Sequence, residues 1–132
     1  MSAVGVRDKN SKDIVESASS KKAQLVCDPV ILYGYEKEKA EFKPKQQKYL
    51  VVYSYDKNMN DTTEVQAIRN YAKKNNLKVL SVGYYHKWCD KNISVSPDEL
   101  LGYIQNAELV VTDTFHGAVL SLVCNTNFAV KL

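Results

Sequence analysis

Short apolar runs alternate along the chain with longer segments whose apolar residues recur every three or four positions, the rhythm of strands interleaved with helices. Ala3–Val6 predicts a first strand, followed by a polar turn and a helix opening near Ser11 with Ile14, Val15 and Ala18 inward. Gln24–Cys27 predicts a second strand, ended by Asp28-Pro29. From Tyr33 to Lys48 the chain is charged and lacks periodicity, which predicts a loop or short irregular turns. Tyr49–Tyr55 is the strongest strand, β-branched and aromatic, with too little alternation for an edge position. Asp61-Thr62-Thr63-Glu64 has the spacing of a capping box, and the helix it opens turns Val65, Ile68 and Ala72 inward before ending at Asn75-Asn76. Leu77–Val82 predicts the next strand, and a loop runs through Trp88 and Asn92 to Ser96-Pro97-Asp98-Glu99. This is a second capping box, with proline at the first helical position. Leu100, Leu101 and Ile104 bury the helix it starts; residues 108–112, the helix around His116, and Asn127–Val130 complete the chain.

Strand and helix alternating over such short connections predict an α/β fold, a three-layer Rossmann-like parallel sheet occupying residues 1–132 as one domain. Right-handed crossovers bring the carboxyl ends of parallel strands to one edge. The turns after Val6, Tyr55, Val82 and Thr112 are expected there, so Arg7, Asp56, Ser81 and His116 would converge. The chain stops at Val130-Lys131-Leu132, within or just after a strand and with no covering helix, which predicts a fragment of a longer protein.

The 132 residues, 45% of them hydrophobic, suffice for a real core. The net charge of +3 comes from sixteen lysines and only two arginines, Arg7 and Arg69, spread without a nucleic-acid-binding motif, so no nucleic-acid partner is expected. The run Lys43–Lys48 reads as a solvated linker. Cys27, Cys89 and Cys124 are odd in number and scattered, which favours a reducing cytoplasm over a disulfide framework. His86-Lys87-Trp88-Cys89 lacks the second pair a zinc site needs, so no metal or cofactor is expected. No apolar run approaches membrane-spanning length.

One stretch concentrates the candidate chemistry. Glu108-Leu109-Val110-Val111 leads through Thr112-Asp113-Thr114-Phe115 to His116-Gly117, and Ala118–Val123 follows as an apolar helix. A helix N-terminus presents unpaired N–H groups and partial positive charge, so it receives anions. Histidine on its first turn can move protons near neutral pH. Asp113 suits either orienting the turn and imidazole or capping the helix, and Gly117 suits close packing.

Three stretches together resemble the polysaccharide pyruvyl transferase family. They are Val4–Ser11 with its Arg7-Asp8; Asp28-Pro29-Val30-Ile31-Leu32; and Ser96–Leu101 followed by Asn106–Gly117 and Phe128. The resemblance implies transfer of pyruvate from phosphoenolpyruvate to a sugar as a ketal, in exopolysaccharide biosynthesis. It implies the carboxyl-terminal lobe of a glycosyltransferase-B-like enzyme whose other, amino-terminal lobe is missing here, leaving this chain inactive alone. His116 would be the general acid or base; Arg7, Asp113, Thr114 and Gly117 would bind substrate, Arg7 by holding one anionic group of the donor. A surface ion pair with Asp8 or Asp13 is the other reading of Arg7. Thr114 stands where some members carry arginine, which removes one candidate anion ligand. Two other functions stay open: a transferase using a nucleotide sugar, against which the five unclustered glycines count, and a non-catalytic domain binding carbohydrate or partner through Tyr84–Trp88.

Overall fold

The computed structural model describes residues 3–45 and 48–131; Gln46 and Gln47, in the predicted linker, and the chain's last residue lie outside them. Two compact units divide between Gly34 and Tyr35.

The first unit is a small strand–helix–strand element with one further turn of helix. Strands β1 (Val4–Val6) and β2 (Ala23–Leu25) pair in parallel around α1 (Lys9–Ala18), and α2 (Pro29–Tyr33) follows. Asp8 starts α1 by accepting from Ser11 N and Ser11 Oγ, both at 2.7 Å, so the helix begins two residues before the predicted serine. Those bonds hold the Asp8 carboxyl below its ordinary range. Asp28 starts α2, accepting from Val30 N at 2.9 Å, and Gly34 ends it at φ 73°, a conformation glycine adopts without strain.

The second unit holds five parallel strands with helices on both faces, the Rossmann-like three-layer arrangement expected. After α3 (Glu36–Glu41) come β3 (Tyr49–Tyr53), α4 (Thr62–Lys74), β4 (Lys78–Val82), β5 (Lys91–Ile93), α5 (Pro97–Gln105), β6 (Leu109–Thr112), α6 (Phe115–Val123) and β7 (Phe128–Val130). The strand order is β5-β4-β3-β6-β7. Central β3 aligns Val51 with Leu80 on one side and Val110 on the other. Tyr49, Leu50, Val51 and Val52 are all buried, as a strand covered on both faces requires.

One face packs Tyr49, Val51, Leu80, Val82 and Val110 against Leu101 and Ile104 of α5 and Leu120 of α6. The other packs Leu50, Val52 and Val79 against Met59 and against Ile68 and Ala72 of α4. Each fully buried aliphatic side chain contributes roughly 1.5–3 kcal/mol. Inside the first face the Tyr49 hydroxyl donates to the Tyr103 carbonyl at 2.9 Å, and burial pushes its proton affinity up. Gly102 is obligatory beside Phe42, whose Cδ1 would lie 2.4 Å from any added Cβ.

Both expected helix starts are present, with one difference. Ser96 and Glu99 form the reciprocal box, at 3.3 Å and 2.8 Å. Asp61 accepts from Thr63 N and Glu64 N, but Glu64 is drawn to Lys131 Nζ at 2.8 Å. Strand β5 was not foreseen. It pairs in parallel with β4, Ser81 opposite Asn92, after a crossover of eight residues and no helix. Nor is β1 a strand of this sheet: it pairs with β2, so the sheet edge on which Arg7 was expected is formed by the strands of the second unit alone.

Candidate functional site at the switch point

The chain lays β3, β4 and β5 outward in one direction, then crosses back to place β6 beside β3. Their carboxyl ends therefore form the switch point at which open α/β sheets bind ligands. The turn from β6 into α6 supplies one wall. Thr114 caps α6, its Oγ1 accepting from Gly117 N at 2.8 Å. Thr112 Oγ1 donates to the Tyr53 carbonyl at 2.6 Å, so at the 3.1 Å contact between the two threonine hydroxyls it is Thr114 that donates. A chain of hydrogen bonds thus runs from the first turn of α6 through β6 to the end of β3. Ser121 Oγ, donating to the Gly117 carbonyl at 2.7 Å, secures the next turn.

This chain settles several expectations. The cap is Thr114, so the capping alternative for Asp113 is excluded. The Thr114 hydroxyl and the Gly117 N–H are both spent within the turn. Gly117 packs against Thr112, as its expected close approach required. His116 is exposed on the first turn, with its ring edge-on to Phe115 at 5.4 Å. Asp113 is half-buried, and its Oδ1 is shielded from solvent with no hydrogen-bond partner among the described residues.

Beside this turn, across β3, stands a second group of polar residues. Asp56 follows β3 and accepts from Tyr85 N at 3.0 Å. With Gly83, Tyr84, Tyr85, Asn92, Ile93 and Ser94 it lines an open cleft of about 390 Å³. Tyr84 packs edge-on against Tyr53 and Tyr55, at 5.6 and 5.3 Å, and burial raises its proton affinity, so it stays neutral. Beneath the cleft, buried His86 contacts Ser81 Oγ through Nδ1 at 2.8 Å. Asn92 clamps the same residue, accepting from His86 N at 2.7 Å and donating to its carbonyl at 3.2 Å. Burial holds the His86 ring below its ordinary proton affinity, against the opposing pull of Asp56, the Tyr55 carbonyl and Asp113.

Of the four residues expected to converge, Ser81 lies in β4, Asp56 follows β3 and His116 stands on the first turn of α6 after β6, whereas Arg7 belongs to the first unit. There Arg7 Nη1 bonds Asp28 Oδ2, a partner that neither sequence reading named. Asp13 pairs with Lys9 at 2.7 Å, and Asp8 serves as the α1 cap. The role of His86 was missed. Its signal was present as Ser81, a hydroxyl between Leu80 and Val82 in the strand, which on burial demands a partner.

Among the described residues, no group of three or more His, Cys, Asp or Glu side chains is placed to hold a metal ion. Burial beside Asp90 pushes the Cys89 thiol up to about 12, which disfavours the thiolate a metal would need. Among the same residues, no helix is long and apolar enough to cross a membrane.

No curated protein and no solved structure matches the chain. The family model described as polysaccharide pyruvyl transferase matches residues 2–130, which takes in the β6–α6 turn, the Arg7-Asp8 turn and the Asp28-Pro29 segment. The chain belongs to the polysaccharide pyruvyl transferase family.

Proposed function

We propose that this chain handles the donor in a transferase that moves pyruvate from phosphoenolpyruvate onto a sugar as a ketal, with His116 as the general acid–base. The observation that carries the reading is the position of His116: exposed, on the first turn of a capped helix, at the switch point of a parallel sheet. In the overall reaction the donor methylene gains a proton and becomes a methyl. Two sugar hydroxyls form the new C–O bonds and lose their protons, and the C–O bond to phosphate breaks. One hydroxyl proton balances the methyl and the other leaves with phosphate. A single imidazole can shuttle such protons, a contribution of roughly 10²–10⁴-fold.

Thr114 and Gly117 act by shaping the turn, since their hydrogen-bonding groups are already engaged in it. The helix N-terminus suits a phosphate or carboxylate. Arg7, oriented by the buried Asp28 carboxylate, is assigned to one of the donor's anionic groups by the family resemblance. The same resemblance assigns acceptor contacts to a second, amino-terminal lobe, and the odd, scattered cysteines favour the reducing cytoplasm as the place of the reaction.

The test uses the protein in the longest form its gene encodes, incubated with phosphoenolpyruvate and a panel of acceptor sugars while phosphate release is followed. Release that depends on acceptor and falls about 10²-fold or more in His116→Gln is expected. Release unaffected by that substitution would remove His116 from the chemistry. No release, with binding of a nucleotide sugar instead, would make the protein a glycosyltransferase.

A further inference from the structure

The open cleft beside the His116 turn is built from three strand ends: Asp56 after β3, Gly83–Tyr85 after β4, and Asn92–Ser94 at the end of β5. Its 390 Å³ falls within the range of about 300–1,000 Å³ usual for small-molecule sites. Gly83 turns the chain out of β4 at φ 80°, its N–H donating to the Ile93 carbonyl at 2.9 Å. Having no side chain, it leaves bare backbone against the cleft.

Two polar side chains are fixed in place before any ligand arrives, which lowers the ordering cost of binding. Asp56 Oδ1 is committed to Tyr85 N at 3.0 Å, while Oδ2 takes no hydrogen bond among the described residues. The Asn92 amide is held by the His86 backbone at both ends, at 2.7 and 3.2 Å. One N–H and one lone pair of that amide remain for a guest. Tyr85 lines the same cleft and is 65% exposed.

The chemistry of this set selects the guest. The Asp56 carboxylate is the one charge among the lining residues, and no lysine, arginine or histidine stands with it. A phosphate or carboxylate group is repelled there. A neutral ring bearing hydroxyls is matched group by group. Hydroxyls donate to the carboxylate in short, charge-assisted bonds, and the planar amide answers two neighbouring hydroxyls, one as donor and one as acceptor. The tyrosine face, negative in its quadrupole, attracts the C–H face of a pyranose.

We propose that this cleft binds one neutral pyranose ring of the acceptor, with Asp56 and Asn92 on its hydroxyls and Tyr85 against its C–H face. The assignment of that sugar as the acceptor rests on the transferase reading; the binding of the sugar does not. It adds a contact on this chain to those assigned to the second lobe. Strand β3, which leads to Asp56, pairs directly with β6, which leads to the His116 turn, at a spacing of about 4.8 Å. The uncharged substrate and the proton-transfer group are thereby brought to adjacent strand ends.

Amide spectra of the full chain, titrated with neutral methyl hexopyranosides and N-acetylhexosaminides, test this directly. Saturable shifts at Tyr85 and Asn92–Ser94 are expected with at least one glycoside. Asp56→Asn keeps an oxygen for Tyr85 N but loses the charge, and should weaken binding about tenfold or more. Tyr85→Ala should weaken it severalfold. No response to any glycoside, or equal binding by the parent and both variants, would overturn the proposal. So would displacement of the glycoside from these amides by phosphoenolpyruvate or uridine diphosphate. In the phosphate-release assay, Asp56→Asn should raise the KM for the acceptor about tenfold and leave that for phosphoenolpyruvate unchanged; an unchanged acceptor KM would overturn the acceptor assignment. Glycoside binding without any phosphate release would uphold the sugar site and overturn the transferase reading alone.

Discussion

Gly117 and Thr112 approach so closely that a β-carbon on the glycine would lie 2.1 Å from Thr112 Oγ1 and 2.8 Å from Thr112 Cβ. Neither atom is the loose end of a flexible chain, because Thr112 Oγ1 is bonded to the Tyr53 carbonyl and to Thr114. Gly117→Ala is therefore expected to destabilise the fold by about 1–3 kcal/mol, the range for overpacking. Thr112→Ala removes the struck oxygen, so the double variant should lose less than the sum of the singles. Urea denaturation of the three variants measures this; strict additivity would contradict the contact.

Thr114 is expected to tolerate serine and resist alanine. Serine keeps the oxygen that caps α6, while alanine removes it and costs about 0.5–2 kcal/mol. The β6–α6 turn should also loosen, read as faster amide exchange at Gly117. Equal stability of the serine and alanine variants would show that the cap carries no weight.

His116→Gln should leave the melting temperature within about a degree or two of the parent, since an exposed side chain away from buried contacts changes stability by less than about 0.5 kcal/mol. Activity, by contrast, should fall. A substantial loss of stability in this variant would reassign the residue to the architecture of the turn.

How legible these features were in the sequence varied with the kind of force that makes them. The strand–helix alternation was readable because β3, β6 and α6 are dense apolar runs, and their burial dominates the local free energy. The turn at His116 was readable because an apolar strand, a polar turn with histidine and glycine, and an apolar helix follow one another directly, but its cap was not, since Asp113 and Thr114 are adjacent and both residue types can cap. Strand β5 was not, because Lys91-Asn92-Ile93 carries no apolar pattern; its pairing depends on tertiary clamps such as Asn92 on His86. The Arg7–Asp28 pair and the separate β1–β2 sheet were equally hidden, since spacing along a chain does not say which of two sheets a strand joins.

Stability is expected to fall in mild acid on account of His86. Burial sets its folded-state proton affinity below the ordinary value of 6.5. As pH drops below 6.5 the unfolded chain takes up a proton that the folded chain refuses, so stability declines until the buried ring protonates as well; above 6.5 the contribution is constant. Comparing urea midpoints at about pH 7.5 and pH 5.5, His86→Gln should show a shallower decline than the parent. An identical decline in both would place the acid sensitivity elsewhere.

Thiol chemistry should be selective. Cys27 is exposed and Cys124 is buried, while burial and Asp90 push the Cys89 thiol up to about 12. A thiol reagent at neutral pH should modify Cys27 rapidly and the other two only after denaturant is added. Rapid labelling of Cys89 in the native chain would contradict its enclosure.

The helix-free crossover from β4 to β5 has a consequence for how this fold comes apart. Parallel strands are ordinarily joined by about a dozen residues or more, usually helical; here residues 83–90 suffice because outside groups fasten them. Trp88 Nε1 donates to the Met59 carbonyl at 2.9 Å, Arg69 reaches the Trp88 carbonyl, and Asp90 accepts from Val79 N at 2.8 Å. Losing α4 releases Arg69 and loosens that whole fastening, so α4 and β5 should detach as one cooperative piece while β3 and β6 keep their pairing. In a denaturant series monitored by hydrogen exchange, the amides of Lys91–Ile93 and of the last turns of α4 should share one opening free energy, lower than that of Val51 and Val110.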